Sequence, residues 1–451
     1  MQLEALLQKP EPARLGTFRP QPNSIAETGI GFGQLIDLSL KTMRLGGRLS
    51  GGEIANRMGL SYRTIEPLLT FLKREKLMET VGSPGIVEQQ YEYALADKGY
   101  EKATEALERN QYVGPAPVPL HEYVSVVKDQ SVRKASVTPD SVYSALADLK
   151  LSHSLRRVIG AAINGGQSML LYGKPGNGKS SVAKRITKML GEAVLIPYAV
   201  DVGGQTIRVF DPRVHSEAID AGPGEERRSP HVAGHAPLER RRDLRWVVAN
   251  RPLITVGGEL TLSDLDLKYS NQTRFYTPPI QILANCGVLV IDDFGRQKMR
   301  PDELLNRWIV PMEDAIDHYS LVSGETIEVP FELLLVFSTN LRPETLGDEA
   351  FWRRIRHKVE VKDPDESIFD EILQSECQRL GIEYMLEGSR YLIERHYHQT
   401  GREFRAVHPR DLLGLMHDMS SFEGTKPELT PHWIDDACAS YFMAEGSKAG
   451  V

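Results

Sequence analysis

The chain reads as an α/β protein: a parallel sheet whose strand ends carry polar side chains, with a smaller helix-rich module ahead of it. Two stretches predict the sheet. Ser168-Met169-Leu170-Leu171-Tyr172 is a short apolar run. After it come Gly173-Lys174-Pro175-Gly176-Asn177-Gly178-Lys179-Ser180 and a segment, Ser181 to Leu190, with Val182, Ile186, Met189 and Leu190 on one helical face. Gly287 to Ile291 is a second apolar run and ends in Asp292-Asp293, as a buried parallel strand does when it delivers carboxylates at its C-terminal edge. One stretch predicts the module: Ser50 with Glu53 is a capping box, and Ser61, after the turn at Gly59, caps a second helix.

The segment from Gly173 to Ser180 has the phosphate-loop pattern, two glycines with four residues between them and then Lys-Ser, in a strand–loop–helix setting. Glycines let the backbone turn so that successive N–H groups face a triphosphate at the start of the following helix. Lys179 is placed to reach the β- and γ-phosphates, the Ser180 hydroxyl to hold Mg²⁺, and Ser181 completes the cradle. The cofactors expected are ATP and Mg²⁺.

Composition bounds the rest. The chain has 451 residues, 41% of them hydrophobic, and a formal charge of −7, which argues against coating nucleic acid or membrane through bulk charge but leaves room for one local basic face. Cys286, Cys377 and Cys438 are far apart and odd in number, a poor basis for a disulfide framework or a zinc site. No apolar run approaches the roughly 18–20 residues that cross a bilayer, and the N-terminus lacks the basic-then-apolar layout of a signal peptide. A cytoplasmic protein without membrane insertion is expected.

In chain order, residues 1–24 hold several prolines and no sustained period, and read as a flexible arm. Residues 25–112 form the helix-rich module. Leu35, Ile36, Leu38, Leu40 and Met43 make a helical face, and the two capped helices follow. Pro67 is expected to kink the second capped helix or to move its start to near Glu66. Two strands, Leu77–Val81 and Gln90–Leu95, and a helix capped by Asp97 complete the module. This order resembles a winged helix-turn-helix domain, whose usual use is DNA binding. Residues 41–77 carry eight basic residues against three acidic ones, a net of +5. DNA contact there and a protein-docking role both remain open.

Residues 113–150 read as a proline-stiffened linker, Val113 to Leu120, followed by lead-in helices. Residues 151–362 form the α/β nucleotide-binding domain. Ala193 to Tyr198 is expected as its second core strand, and 199–276 as an insert with a loop at Gly222 to Pro230 and a hairpin turning at Gly257-Gly258. His215, His231 and His235 lack carboxylate or cysteine companions at ligand spacing and read as loop histidines. Phe331 to Asn340 is a further core strand ending in a polar side chain able to orient water. Ala350-Phe351-Trp352-Arg353-Arg354 crowds arginines, which calls for phosphate or carboxylate. His408-Pro409-Arg410-Asp411 opens a helix with a cation in its first turn, where an anionic partner is expected. That helix belongs to a segment, 363–446, expected as a helical lid.

Phosphate loop, Asp-Asp strand, Asn strand, Phe-Trp-Arg-Arg and Pro-Arg-Asp stand in the order found in AAA+ ATPases, and the chain resembles that family over about residues 150–445. The lead-in Pro278 to Val288 and the hairpin Ser320–Val322 with Thr326–Val329 resemble the magnesium-chelatase-like branch, which carries inserts around its second helix and before the first sensor; the resemblance would account for 199–276 in this way. The resemblance implies an α/β AAA+ core with a parallel sheet and a helical lid. It implies Lys179 and Ser180 on phosphate and metal, Asp292 on Mg²⁺ through water, and Asp293 polarising the attacking water. Asn340 would be a first sensor, Arg353 or Arg354 a finger into the neighbouring subunit, and Arg410 a second sensor. Asp293 departs from the commoner Glu at its place. Arg307 is either a second interface arginine or a salt bridge. The function implied is Mg-dependent ATP hydrolysis by a homo-oligomeric ring, a hexamer among the candidate sizes, that remodels a protein or protein–DNA partner. An ATP-regulated DNA-binding transcription factor and a slow ATP-sensing switch or scaffold are the alternatives.

Overall fold

A computed structural model describes residues 19–82, 88–166, 168–191, 193–218, 242–346 and 349–442. The chain divides into two compact units. The first takes 1–135, 190–289 and 303–334; the second takes 136–189, 290–302 and 335–451. The contact division thus groups the insert and the hairpin segment with the N-terminal residues. Among the described residues no helix is long and apolar enough to cross a membrane.

In the first unit the N-terminal elements follow from their caps and faces. Helix Phe32–Gly46 buries Leu35, Leu38, Leu40 and Met43. Ser50 and Glu53 form the capping box that starts Gly51–Arg57, and Ser61 accepts from the Thr64 amide to start Tyr62–Arg74. Pro67 neither ends that helix nor moves its start: the helix begins at Tyr62 with Pro67 inside it and exposed to solvent. Its missing N–H removes one ladder bond, while buried Ile65, Leu68, Leu69 and Leu72 hold the helix to the core. A three-stranded antiparallel sheet, in the order Leu49–Ser50, Glu92–Leu95, Met78–Gly82, and the helix Asp97–Arg109 follow. Of the expected arm, residues 1–18 lie outside the described residues. Its end is held: Arg19 donates to Glu122 at 2.9 Å, and the Thr64 hydroxyl donates to the Pro22 carbonyl at 2.7 Å.

Three further expectations need correction. The proline-rich segment is packed rather than free: Val118–Pro119 pairs in parallel with Ala199–Val202, and Ala116 and Val118 are fully buried. A proline without an N–H fits there because this strand is the edge of a five-stranded sheet. Val194–Pro197 is not a second strand of the core sheet; it pairs antiparallel with Trp246–Ala249, all eight residues being buried. Leu253–Val256 takes the core-sheet place, and the Gly257-Gly258 pair leads into a short 3-10 turn, Leu262–Leu265, instead of a returning strand. His215 is an ordinary buried loop histidine that receives the Asp211 amide and contacts the Leu283 carbonyl. His231, His235 and the Gly222 to Pro230 loop lie outside the described residues. Arg307 forms the salt bridge, 2.7 Å from the nearly buried Asp317.

The core sheet runs in the order Leu253–Val256, Val288–Ile291, Leu334–Thr339, Ser168–Tyr172, His357–Glu360. Leu334–Thr339 and His357–Glu360 both pair in parallel with Ser168–Tyr172. The strand leading into the phosphate loop is therefore flanked by two strands that come much later in the chain. Such a reversal of strand order opens a crevice at the carboxyl ends, where ligands of α/β sheets bind. In the second unit the helices Glu366–Leu380, Leu386–Ile393, His408–Glu423 and Pro431–Tyr441 share a core that includes Phe369, Leu373, Leu392, Leu412, Met416 and Ile434. The expected α/β fold with a helical lid segment is there.

Candidate functional site

Every residue expected to bind phosphate from the loop and the Asp-Asp and Asn strands lies in the second unit. Ser168–Tyr172 ends at Gly173, whose φ of 138° and position leave no room for a side chain: a Cβ there would sit 2.4 Å from the Val361 carbonyl oxygen. Gly178, with φ 84°, caps the helix that opens at Lys179. A Cβ on Gly178 would meet nothing within 4 Å, so the loop leaves open space on that side.

Lys179 is buried, and its Nζ donates to the Gly173 carbonyl at 2.9 Å, to the Lys174 carbonyl at 2.8 Å and to Asn340 Oδ1 at 2.6 Å. Burial pushes its pKa below the usual lysine value, against the pull of Asp292 and Asp293. Asn340 Nδ2 in turn donates to Asp293 Oδ1 at 3.1 Å. The strand order explains the chain of contacts, because the Asn340 strand lies between the phosphate-loop strand and the Asp292-Asp293 strand. Beside it, the Ser180 hydroxyl donates to Asp292 Oδ1 at 3.0 Å.

The turn after Asp292 is strained and held. Asp293 has φ 49°, a left-handed conformation that costs a non-glycine residue about 1–2 kcal/mol. The Phe294 amide donates to the Ser338 carbonyl at 2.7 Å, and the Thr339 hydroxyl donates to the Phe294 carbonyl at 2.7 Å. Gln297 Nε2 donates to the carbonyls of Asp292 and Asp293. These bonds keep the Asp293 carboxylate exposed and facing Asn340.

A cleft of about 430 Å³ joins the pieces. Pro175 to Ser181, Asp292, Asp293, Asn340 and Arg410 line it, and so do Asp148 to Leu151, Ile372, Ser375 and Glu376. Arg410 lines the cleft, and its guanidinium rests on the adjacent Asp411 at 2.8 and 2.9 Å. Arg353 and Arg354 are elsewhere: they end the helix Glu349–Arg354, and neither lines the cleft. Lys174, on the outer side of the loop, pairs with Asp363 at 3.1 Å and with Glu403.

Sequence reasoning missed the group behind the loop. Asn177 Nδ2 donates to Asp363 Oδ1 at 2.6 Å, Arg405 pairs with both Asp363 and Glu403, and the Ala406 amide donates to Asn177 Oδ1 at 3.3 Å. Burial pushes the Asp363 carboxyl up, but hydrogen bonds from Asn177, Arg405 and Lys174 outweigh it and leave the group below the usual range. No local pattern in the sequence marks this group, whose members are far apart along the chain.

The donor set fits the groups the sequence implies. Ser180 and Asp292 offer oxygen atoms alone, which suits a hard divalent cation. The glycine-lined open side of the loop, with a buried ammonium at its base, suits a polyphosphate. Among the described residues no cluster of three His, Cys, Asp or Glu side chains forms a separate metal site.

Residues 145–195, which hold the phosphate loop, match the family described as magnesium chelatase, subunit ChlI. This segment is magnesium-chelatase-like. That meets the expected resemblance at the loop itself. Residues 365–440 match a domain of unknown function, DUF8689, which covers the helical segment. No curated protein matches the chain. Among solved structures, NtrX from Brucella abortus is 12% identical, with a TM-score of 0.38 over 86% of this chain and 64% of that one. NtrX in complex with ATP is 12% identical, with a TM-score of 0.39 over 67% and 59%. The Thermotoga maritima RuvB Holliday junction branch migration motor is 14% identical, with a TM-score of 0.35 over 68% and 72%. The chain thus spans less than two thirds of either NtrX chain. Likenesses this distant carry no argument about function.

Proposed function

We propose that the chain binds MgATP in the cleft of the second unit and hydrolyses it. The observation that carries this reading is the unbroken contact path Lys179–Asn340–Asp293, with Ser180 on Asp292 beside it. A Mg²⁺ ion held at Ser180 and Asp292 would neutralise phosphate charge and fix the oxygen atoms it touches. The chain's own groups do the rest. Backbone N–H groups from Gly176 to Ser180 hold the phosphates, and Lys179 exchanges its carbonyl acceptors for phosphate oxygens. Asn340 Nδ2 keeps the Asp293 carboxylate turned toward the space beyond Lys179, where that carboxylate takes a proton from an attacking water.

Arg410, released from Asp411, reaches phosphate from the helical segment and reports its loss. Arg353 or Arg354 serves the cleft of a neighbouring copy, since neither lines the cleft of its own chain. An arginine supplied this way raises turnover by roughly 10³–10⁵, so activity needs assembly into a homo-oligomer. A ring, with a hexamer among the sizes that fit, would then act on a protein or protein–DNA partner selected by the N-terminal helices in the cytoplasm.

DNA contact has its own support. Of the eight basic residues in 41–77, seven are exposed, and Arg63, Thr70, Lys73 and Arg74 share the solvent face of Tyr62–Arg74. Lys41 is buried and drops out of that face. Salt-dependent binding of duplex DNA, lost on Arg63→Ala with Lys73→Ala, tests this part. For the site itself, Lys179→Ala should abolish ATP binding measured by equilibrium titration. Tight binding that survived the change would refute the phosphate-loop reading.

A further inference from the structure

A second cavity, of about 220 Å³, lies wholly within the first unit. Leu35, Leu38 and Tyr269 give it an apolar wall, and Lys41 and Asp201 are both on its lining.

The Lys41 side chain is 5% exposed, on a helix whose other buried residues are mostly apolar. An ammonium has three N–H donors. Among the described residues Lys41 makes one hydrogen bond, to the Asn110 carbonyl at 2.9 Å. The nearest acidic group on its own helix, Asp37, is engaged by Arg109 at 2.7 Å. Burial lowers the Lys41 pKa to about 8, against the pull of Asp37 and with the push of Arg109.

Asp201, half-buried, carries the opposite charge. Its carboxylate accepts from Gln34 Nε2 at 2.7 Å and from the Gly204 amide at 3.4 Å, and no cation pairs with it among the described residues. Burial pushes its pKa up. Of the charged residues on the lining, Lys41 is buried and Asp201 half-buried, and the two do not pair with each other; Asp37 is held by Arg109, and Arg274 is exposed. Taking charges out of water without pairing them is unfavourable, and a ligand carrying both complements in one molecule removes that cost.

We propose that this cavity binds a small aminocarboxylate, with the ligand carboxylate on Lys41 and its ammonium on Asp201. A plain anion would leave Asp201 unpaired and be repelled by it; a plain amine would meet the same penalty at Lys41. Asn110, Gln205 and Thr206 add neutral polar groups, and the apolar wall takes the hydrocarbon part. Occupancy would tie helix Phe32–Gly46 to the strands Ala199–Val202 and Gln205–Arg208, so the ligand would act as an effector of the N-terminal elements. The proposal stands apart from the nucleotide reading and needs none of it.

The test is calorimetric titration of the full-length chain with L-leucine and γ-aminobutyrate, which space the two charges differently. Isoamylamine, isocaproate, butylamine and butyrate serve as their one-charge analogues. The expected result is saturable binding of at least one aminocarboxylate, about tenfold or more tighter than its one-charge analogues. The same binding should weaken at least about tenfold in Lys41→Gln and in Asp201→Asn. No saturable binding of either aminocarboxylate, or equal binding of a one-charge analogue, would overturn the proposal. So would wild-type affinity in both variants. If a variant fails to fold, the comparison of ligands on the wild-type chain decides alone.

Discussion

Two buried lysines do opposite things. Lys179 has three acceptors for its three N–H groups: two carbonyls of its own loop and Asn340. Lys41 has one, the Asn110 carbonyl. Burial depresses both, yet the first is satisfied within the protein and the second is not. On the proposed reading the satisfied lysine sits in a preorganised site, where phosphate oxygens would replace acceptors already in position with little rearrangement. The unsatisfied one carries a standing cost that a ligand can remove. A buried ammonium is thus read by how many of its donors are met, and both sites can be probed on that basis.

Of the changes made around the two lysines, removing an acceptor from Lys179 should give the largest effect. Asn340→Ala breaks the bridge to Asp293 and leaves Lys179 with its two carbonyls. Turnover should fall about 10²-fold with ATP affinity changed far less, as steady-state kinetics would show. A matching fall in affinity would mean that Asn340 holds nucleotide and does not orient water.

Loosening the outer side of the loop should matter less. Asp363→Asn weakens the group that receives Asn177, Lys174 and Arg405. The expected change is a rise of about tenfold in KM for ATP with kcat nearly unchanged. A fall in kcat alone would place Asp363 in the chemistry instead of in loop positioning.

The smallest effect sharpens the contrast from the Lys41 side. Burial lowers the pKa of folded Lys41 to about 8, from about 10.5 in the unfolded chain. Between these values the unfolded chain binds more protons, so stability rises with pH across that window. Wild type should gain about 1 kcal/mol on Lys41→Met between pH 8 and 9, measured by chemical denaturation of both chains. A constant difference between them would show that the Lys41 ammonium is not penalised by burial.

Three strands of the core sheet were legible because buried parallel strands are apolar runs with polar residues at their ends, as at Tyr172, Asp292 and Asn340. The other two were not: His357–Glu360 buries one residue of four and shows no apolar run, and Leu253–Val256 reads locally as the arm of a hairpin. The insert was not legible. Its strands are two to four residues long, and Val118–Pro119, Ala199–Val202 and Gln205–Arg208 become a sheet only through partners far along the chain. No local period marks such strands.

Within the site, residue types were readable and conformations were not. The sequence supplied Lys179, Ser180, Asp292, Asp293 and Asn340, but nothing local signals the left-handed backbone at Asp293 or its lock by Gln297. The Asp363–Arg405 group joins residues about forty positions apart and has no pattern of its own. Lys41 was counted as part of a basic face because its helix period alone does not reveal that Asn110 and the following segment cover it.

If the cleft around Lys179 hydrolyses ATP by way of Asp293, single-turnover hydrolysis by Asp293→Asn should be slowed by roughly 10²–10⁴, with wild-type ATP affinity measured on the same sample. Wild-type turnover in that variant would contradict this role of Asp293.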